Sequence, residues 1–119
     1  MSIIVADDSF AHRKIIVGVI REVTDEEVIE ASNGIEVILK DLSKVSLLIC
    51  DIIMPQMDGL KLIHYIRIMK KIRDLPIIVI SSTAAGAEDI HKIYSMGVSE
   101  VIQKPVEKDR LKEILRNYI

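Results

Sequence analysis

The chain has 119 residues, half of them hydrophobic, and a formal net charge of −2. This length suits one domain with a buried core, and the near balance of charges provides no basic face for nucleic acid. No apolar run is long enough to cross a bilayer, and the N-terminus lacks the basic flank and cleavage site of a signal peptide. We therefore expect a cytoplasmic protein without membrane contact. The lone Cys50 excludes an internal disulfide and a cysteine metal cluster.

Short apolar runs alternate with amphipathic segments along the whole chain. Three runs lack polar residues, which predicts strands buried on both faces of a parallel sheet: residues 3–6, 47–50 and 77–80. Two further runs carry polar residues at their ends, which suits the edges of a sheet: residues 27–30 and 100–103.

The segments between these runs have the apolar spacing of helices that bury one face. The apolar positions are Ile16, Val19, Ile20 and Val23; Ile35, Ile38, Leu39 and Leu42; Leu62, Tyr65, Ile66 and Met69; Ile90, Ile93 and Tyr94; and Leu111, Ile114, Leu115 and Tyr118. Ser9 and Asp58 are suitable N-caps for the first and third helices, and Gly97 is a suitable stop for the fourth.

Strands that alternate with helices run parallel, because each helix crosses back over the sheet. With the two polar strands at the edges, the pattern predicts an α/β fold of the flavodoxin-like (βα)5 type. This is a doubly wound, parallel, five-stranded sheet of order 2-1-3-4-5. We expect residues 1–119 to form one such domain.

Ligands of open α/β sheets bind beyond the carboxyl ends of the strands, where the strand order reverses. Asp7 and Asp8 follow the first predicted strand, Asp51 the third, Ser81 the fourth and Lys104 the fifth. Singly, these residues have structural explanations: a turn pair, a strand-end hydroxyl, a solvated lysine. Together at one sheet edge they indicate a site.

Three carboxylates in one crevice repel each other unless a cation joins them. Mg²⁺ takes oxygen ligands and commonly combines one or two carboxylates with phosphate, and no His or Cys cluster competes for zinc. The ammonium group of Lys104 and the hydroxyl of Ser81 suit phosphoryl oxygens. The sequence therefore predicts Mg²⁺-assisted chemistry on a phosphoryl group at this edge of the sheet.

Four segments resemble the response-regulator receiver family. They read Asp7-Asp8-Ser9, Asp51-Ile-Ile-Met-Pro-Gln-Met-Asp-Gly59, Pro76-Ile-Ile-Val-Ile-Ser-Ser82 and Lys104-Pro105. The resemblance follows the chain in order from end to end, and the second segment is highly specific.

The resemblance implies a role for each matching residue. Asp51 is the expected phospho-acceptor. Asp8 is the expected direct Mg²⁺ ligand, Asp7 binds the ion through water, and the backbone carbonyl of Ile53 completes the protein ligands. Ser81 and Lys104 are expected to contact the phosphoryl group, and the bond between Lys104 and Pro105 is expected to be cis.

The resemblance also implies partners. The phosphoryl group would come from a phosphohistidine on a histidine kinase or phosphotransfer protein, and the domain would later hydrolyse it. Beyond this self-catalysed chemistry we expect no enzyme activity. The surface of the fourth helix, fifth strand and fifth helix would bind a target, such as a flagellar motor switch or a relay component.

Two positions depart from the family pattern. Val101 stands where an aromatic switch residue is usual in the fifth strand. Ile53 and Thr83 occupy positions where some receivers have polar groups that orient the attacking water. Because Ile53 cannot bind that water, we expect slow self-dephosphorylation.

Other interpretations fit the sequence less well. Haloacid-dehalogenase-like phosphatases need a second acid two residues after the nucleophile, where this chain has Ile53. In a flavodoxin-like FMN-binding protein, Asp7 and Asp8 would repel the phosphate. A phosphorylation-independent interaction module and a receiver domain cut from a larger regulator remain alternatives.

Overall fold

The computed structural model describes residues 1–81 and 87–119. Within these residues there are five strands: β1 Ser2–Ala6, β2 Glu27–Ala31, β3 Val45–Asp51, β4 Ile77–Ser81 and β5 Glu100–Gln103. They are parallel and form one sheet of order β2-β1-β3-β4-β5, which confirms the predicted fold. No helix in the described residues is both long and apolar enough to span a bilayer.

The strand register brings the chemically important residues to one edge of the sheet. Ala6 pairs with Cys50, so the residues that follow them, Asp7 and Asp51, lie at the same level on neighbouring chain segments. Ser81 is the last residue of β4 and pairs with Gln103, directly before Lys104. The carboxyl ends of β1, β3, β4 and β5 therefore share one crevice, where ligands bind in folds of this type.

Helices cover both faces of the sheet, and their bounds are α1 Phe10–Val23, α2 Gly34–Ile38, α3 Gly59–His64, α4 Ala87–Ser95 and α5 Lys108–Leu115. Side chains alternate between the two faces along each strand. Ile3 and Val5 pack with α1 and α5, whereas Ile4 and Ala6 pack on the side of α2, α3 and α4. The aliphatic core therefore consists of two layers, one on each side of the sheet.

The predicted helix ends at Ser9, Asp58 and Gly97 are confirmed. The hydroxyl of Ser9 accepts a hydrogen bond from the backbone N–H of His12 at 3.2 Å. The Asp58 carboxylate accepts one from the N–H of Lys61 at 2.9 Å. Gly97 has a φ of +80°, a left-handed conformation that ends the turn after α4 and favours glycine.

The second and fifth helices are shorter than predicted. α2 ends at Ile38, so Leu39 is exposed, and Leu42 begins a separate 3₁₀ turn. The Asp41 side chain accepts the N–H of Ser43 at 3.1 Å and thereby starts that turn. Near the C-terminus, Tyr118 lies beyond the end of α5 rather than on its apolar face.

The third helix changes its winding, and this overturns one predicted core position. A π-helical turn, Tyr65–Met69, follows α3 directly. Its additional residue per turn rotates the buried face, as is typical of such turns. Ile66 is buried as predicted, but Met69 is exposed and Arg67 is buried instead.

The buried Arg67 guanidinium donates hydrogen bonds to four backbone carbonyls. Their acceptors are Ile72 at 3.0 Å, Leu75 at 2.8 Å, Met96 at 3.3 Å and Gly97 at 2.8 Å. Burial lowers the pKa of Arg67 from its ordinary value. This side chain therefore links the segment before β4 to the turn after α4, and the sequence pattern did not predict it.

Candidate functional site

Asp51 is the last residue of β3, and its side chain is only 4% exposed. One carboxylate oxygen, Oδ2, accepts a hydrogen bond from the Lys104 ammonium at 2.5 Å. The other, Oδ1, accepts one from the backbone N–H of Ile53 at 3.2 Å. A buried carboxylate needs such partners because burial without them is costly. The structure thus brings the predicted acceptor and the predicted lysine into direct contact.

Lys104 follows β5 directly and is positioned by its own backbone. Its N–H donates to the carbonyl of Ser81 at 2.7 Å, and the peptide bond to Pro105 is cis, as the resemblance implied. Burial lowers the pKa of Lys104, but the hydrogen bond to Asp51 and the negative charges around it outweigh burial. The net result is a pKa above the ordinary value. The lysine is therefore a positive charge at neutral pH.

Asp7 follows β1 and is 1% exposed. Its Oδ1 accepts the backbone N–H of Ser9 at 2.8 Å, and its Oδ2 contacts Nδ1 of His12. The backbone of Asp7 is also fixed: its N–H donates to Ala31 at 3.0 Å, and its carbonyl accepts from Arg13 at 2.6 Å. Hydrogen bonds to both its side chain and its main chain therefore hold Asp7 in the crevice.

His12 belongs to this site, and the sequence analysis did not identify it. One ligand atom from each of Asp7, His12 and Asp51 lies within 4.8 Å of the others. The imidazole stands on the first turn of α1, five residues after Asp7. The sequence did contain a signal for His12, because this histidine comes one helical turn after the acidic pair. The first turn of a helix that follows β1 lies close to the ends of the strands.

The remaining predicted residues occupy three different environments. Asp8 lies outside the group formed by Asp7, His12 and Asp51, and its side chain is exposed, although its charge still contributes to the raised pKa of Lys104. Ser81 is 1% exposed at the end of β4. Ile53 lies on the loop after β3, and its side chain is 67% exposed. Thr83 lies outside the described residues.

Gly59 packs against the backbone that carries Asp51. Its N–H donates to the carbonyl of Ile52 at 2.7 Å. A Cβ atom at this position would lie 2.4 Å from the Asp51 carbonyl oxygen and 2.8 Å from Cα of Ile52. Only glycine leaves room for this approach, so the Asp58-Gly59 pair both caps α3 and supports the acidic site from behind.

A family model described as the response regulator receiver domain matches residues 3–116. The chain belongs to the response-regulator receiver family. A Campylobacter jejuni receiver called "Chemotaxis protein CheY homolog" is 36% identical over 121 residues, which cover 100% of this chain and 92% of the relative. "Chemotaxis protein CheY1" of Helicobacter pylori is 35% identical over 97% of this chain and 94% of its own length.

Solved receiver structures have the same fold. The chemotaxis protein CheY4 of Vibrio cholerae aligns with a TM-score of 0.85 over 99% of this chain and 98% of its own, at 22% identity. The receiver domain of the response regulator AraT from Geobacillus stearothermophilus aligns with a TM-score of 0.83 over 98% of this chain and 91% of its own, at 30% identity.

The receiver site of this chain has donors that fit a divalent cation. Asp7 and Asp51 are buried carboxylates whose ligand atoms lie close together, and Lys104 supplies one positive charge against them. Two converging carboxylates retain unfavourable repulsion that a hard cation relieves, and oxygen donors suit Mg²⁺. The acidic cluster could therefore bind a metal ion.

Proposed function

We propose that residues 1–119 act as one receiver domain of a two-component response regulator, and that Asp51 is its phospho-acceptor. The observation that carries this proposal is the contact between the buried Asp51 carboxylate and the Lys104 ammonium, 2.5 Å apart. Burying the Asp51 charge is costly, and the lysine that offsets this cost is itself 34% exposed. A lysine held against a carboxylate in a ligand-binding crevice is suited to neutralise an incoming phosphoryl group.

In the proposed reaction, an oxygen of Asp51 attacks the phosphorus of a phosphohistidine on a histidine kinase or phosphotransfer protein. The new P–O bond forms as the P–N bond breaks, and the imidazole leaves. Lys104 moves from the Asp51 carboxylate to a phosphoryl oxygen, and the Ser81 hydroxyl donates to another. Mg²⁺ would be held by Asp7, Asp8, Asp51 and the carbonyl of Ile53, and when bound it would supply positive charge for the phosphoryl oxygens.

Phosphorylation is proposed to act on the surface formed by α4, β5 and α5. New phosphoryl oxygens would draw Ser81 and Lys104 inward. Ser81 ends β4 and Lys104 directly follows β5, so both residues lie next to elements of this surface. Val101 replaces the usual aromatic of β5, so switching here would not depend on a ring in that strand. The names of the Campylobacter and Helicobacter relatives support a chemotaxis role. We further propose a cytoplasmic location and, as target, a flagellar motor switch or a relay component.

A site-mapping experiment tests the acceptor directly. The protein is phosphorylated with acetyl phosphate and Mg²⁺, reduced with borohydride, which converts an aspartyl phosphate into homoserine, and sequenced by mass spectrometry. We expect homoserine at position 51 alone. Asp58→Asn serves as the matched control, because Asp58 is an aspartate of the same loop that caps α3. Homoserine at another aspartate would refute the assignment to Asp51, and homoserine at no position would favour a phosphorylation-independent module.

A further inference from the structure

A cavity of about 500 Å³ opens between the π-helical turn after α3 and the end of α4, and this basic groove is lined by His64, Arg67, Ile68, Arg73, Met96 and Gly97 among others. Its volume falls within the range of ligand-binding sites, about 300–1,000 Å³. The segments that line it lead into β4 and β5, so it lies at the amino ends of these strands, at the edge of the sheet opposite Asp51. We propose that the basic groove binds an acidic peptide segment of a partner protein, and that this segment inserts one apolar side chain.

The ionisable side chains that line the basic groove are all basic. His64 and Arg73 are exposed, Arg67 is buried, and none of the described lining residues is acidic. Asp74 is close enough to raise the pKa of Arg67 against the effect of burial, but it does not line the groove. Because the whole chain has a net charge of −2, this concentration of positive charge is local. A complementary partner is negatively charged, and carboxylates are the groups that guanidinium binds best in proteins.

Arg67 joins the two walls of the groove and keeps one donor unused. A guanidinium has five N–H groups. Four of them donate to the carbonyls of Ile72, Leu75, Met96 and Gly97, through Nε, Nη1 and both N–H groups of Nη2. The second N–H of Nη1 has no acceptor among the described residues, so it is available to a carboxylate from outside. Because these bonds form the groove before a partner arrives, binding would cost little further ordering of the receiver.

Apolar side chains in the groove remain open to solvent. Ile68 is 58% exposed and Met96 is half-buried, and Met69, beside Ile68 in the chain, is 66% exposed. Exposed apolar surface with a polar rim is typical of binding sites, and exposed Lys70 and Lys71 continue the rim here. Arginine and methionine are enriched at protein interfaces. None of the described lining residues is aromatic, so a nucleic-acid base would find no ring on which to stack.

This inference goes beyond the proposed function. The groove is at the opposite edge of the sheet from Asp51, so its charges and its shape do not depend on the phosphoryl group. A peptide bound there would hold the receiver near its partner whether or not Asp51 is phosphorylated. A negative result at the groove would therefore leave the phosphorylation of Asp51 untouched.

A library of random linear peptides displayed on phage tests the proposal. Phage are selected on the full-length wild-type chain, after those that bind Arg73→Glu have been removed. Arg73 is exposed and has no hydrogen bond or ion pair within the described residues, so its substitution should leave the fold intact, which circular dichroism checks. We expect selected sequences that place Asp or Glu beside Leu, Ile, Met or Phe. A synthetic peptide of such a sequence should shift the ¹⁵N amide resonances of Ile68 and Gly97.

A matched variant separates the groove from the net charge of the chain. Arg21→Glu reverses the same charge on α1, which packs on the other face of the sheet. By calorimetry, the synthetic peptide should bind Arg73→Glu at least about tenfold more weakly than the wild type, and Arg21→Glu about as tightly. Selected peptides without acidic residues, no peptide that distinguishes the wild type from Arg73→Glu, or an equal loss in Arg21→Glu would each overturn the proposal. Binding to phosphatidylglycerol vesicles that Arg73→Glu abolishes, without any selected peptide, would overturn it in favour of a membrane surface.

Discussion

The substitution Gly59→Ala tests how tightly the loop after β3 supports Asp51. The new Cβ would lie 2.4 Å from the Asp51 carbonyl oxygen and 2.8 Å from Cα of Ile52, both backbone atoms that no side-chain rotation can move. Ordinary contacts at a Cβ begin at 3.4 Å, so the two segments must separate by about 1 Å. Such overpacking costs about 1–3 kcal/mol, and the lack of a flexible neighbour places this case near the upper end.

The matched control is Gly18→Ala. Gly18 is exposed in the middle of α1, and a Cβ there would meet nothing within 4 Å. Alanine should therefore stabilise this helix by about 0.5–1 kcal/mol. Urea unfolding followed by circular dichroism gives both free energies of unfolding, and we expect the two variants to differ by about 3 kcal/mol. If Gly59→Ala is as stable as Gly18→Ala, the steric reasoning is wrong.

Three further predictions concern the core, the acid stability and the chemistry of the site. Arg67→Met should lower the free energy of unfolding in urea by about 2–4 kcal/mol, because four backbone carbonyls lose a charged donor; a loss below about 1 kcal/mol would contradict this. Hydrogen bonds from Lys14 and Arg13 lower the pKa of Glu30 below its ordinary 4.5. This carboxylate therefore stabilises the fold above that pH and ceases to do so as the pH falls through the lowered pKa. The stability advantage of the wild type over Glu30→Gln, measured by thermal unfolding, should shrink between pH 6 and pH 3, and a pH-independent difference would be inconsistent with the ion pairs. Ile53→Asn should shorten the lifetime of the phosphorylated protein severalfold, measured as loss of the phosphoryl mass, because asparagine can bind the attacking water; an unchanged lifetime would disprove that Ile53 slows self-dephosphorylation.

The fold was largely predictable because its signals are local. The runs without polar residues predict strands that are buried on both faces in the middle of a parallel sheet, and they form β1, β3 and β4. The alternation of strands with helices determines the direction of each strand. The π turn at Tyr65–Met69 was not predictable in this way. The turn contains Arg67, which donates hydrogen bonds to the carbonyls of Met96 and Gly97, about 30 residues away. A spacing rule applied within one helix contains no information about such distant carbonyls.

The acidic site was predictable where strand ends determine position. Asp7, Asp51 and Lys104 each follow or end a strand, and the register of a parallel sheet alone brings them together. Asp8 differs from Asp7 in exposure because adjacent residues at a strand end point in opposite directions. His12 was missed because its place depends on where α1 begins and on its side-chain rotamer. Neither the start of α1 nor the rotamer of His12 can be predicted from the spacing of apolar residues.

Intact mass spectrometry after incubation with acetyl phosphate tests the central proposal most directly. The protein is measured with Mg²⁺, with a chelator in place of Mg²⁺, and as Asp51→Ala, whose fold is checked by circular dichroism. We predict a gain of one phosphoryl group with Mg²⁺ only, and no gain in Asp51→Ala. A folded wild-type protein that gains no mass, or an Asp51→Ala variant that gains as much as the wild type, would contradict the role of Asp51 as the phospho-acceptor.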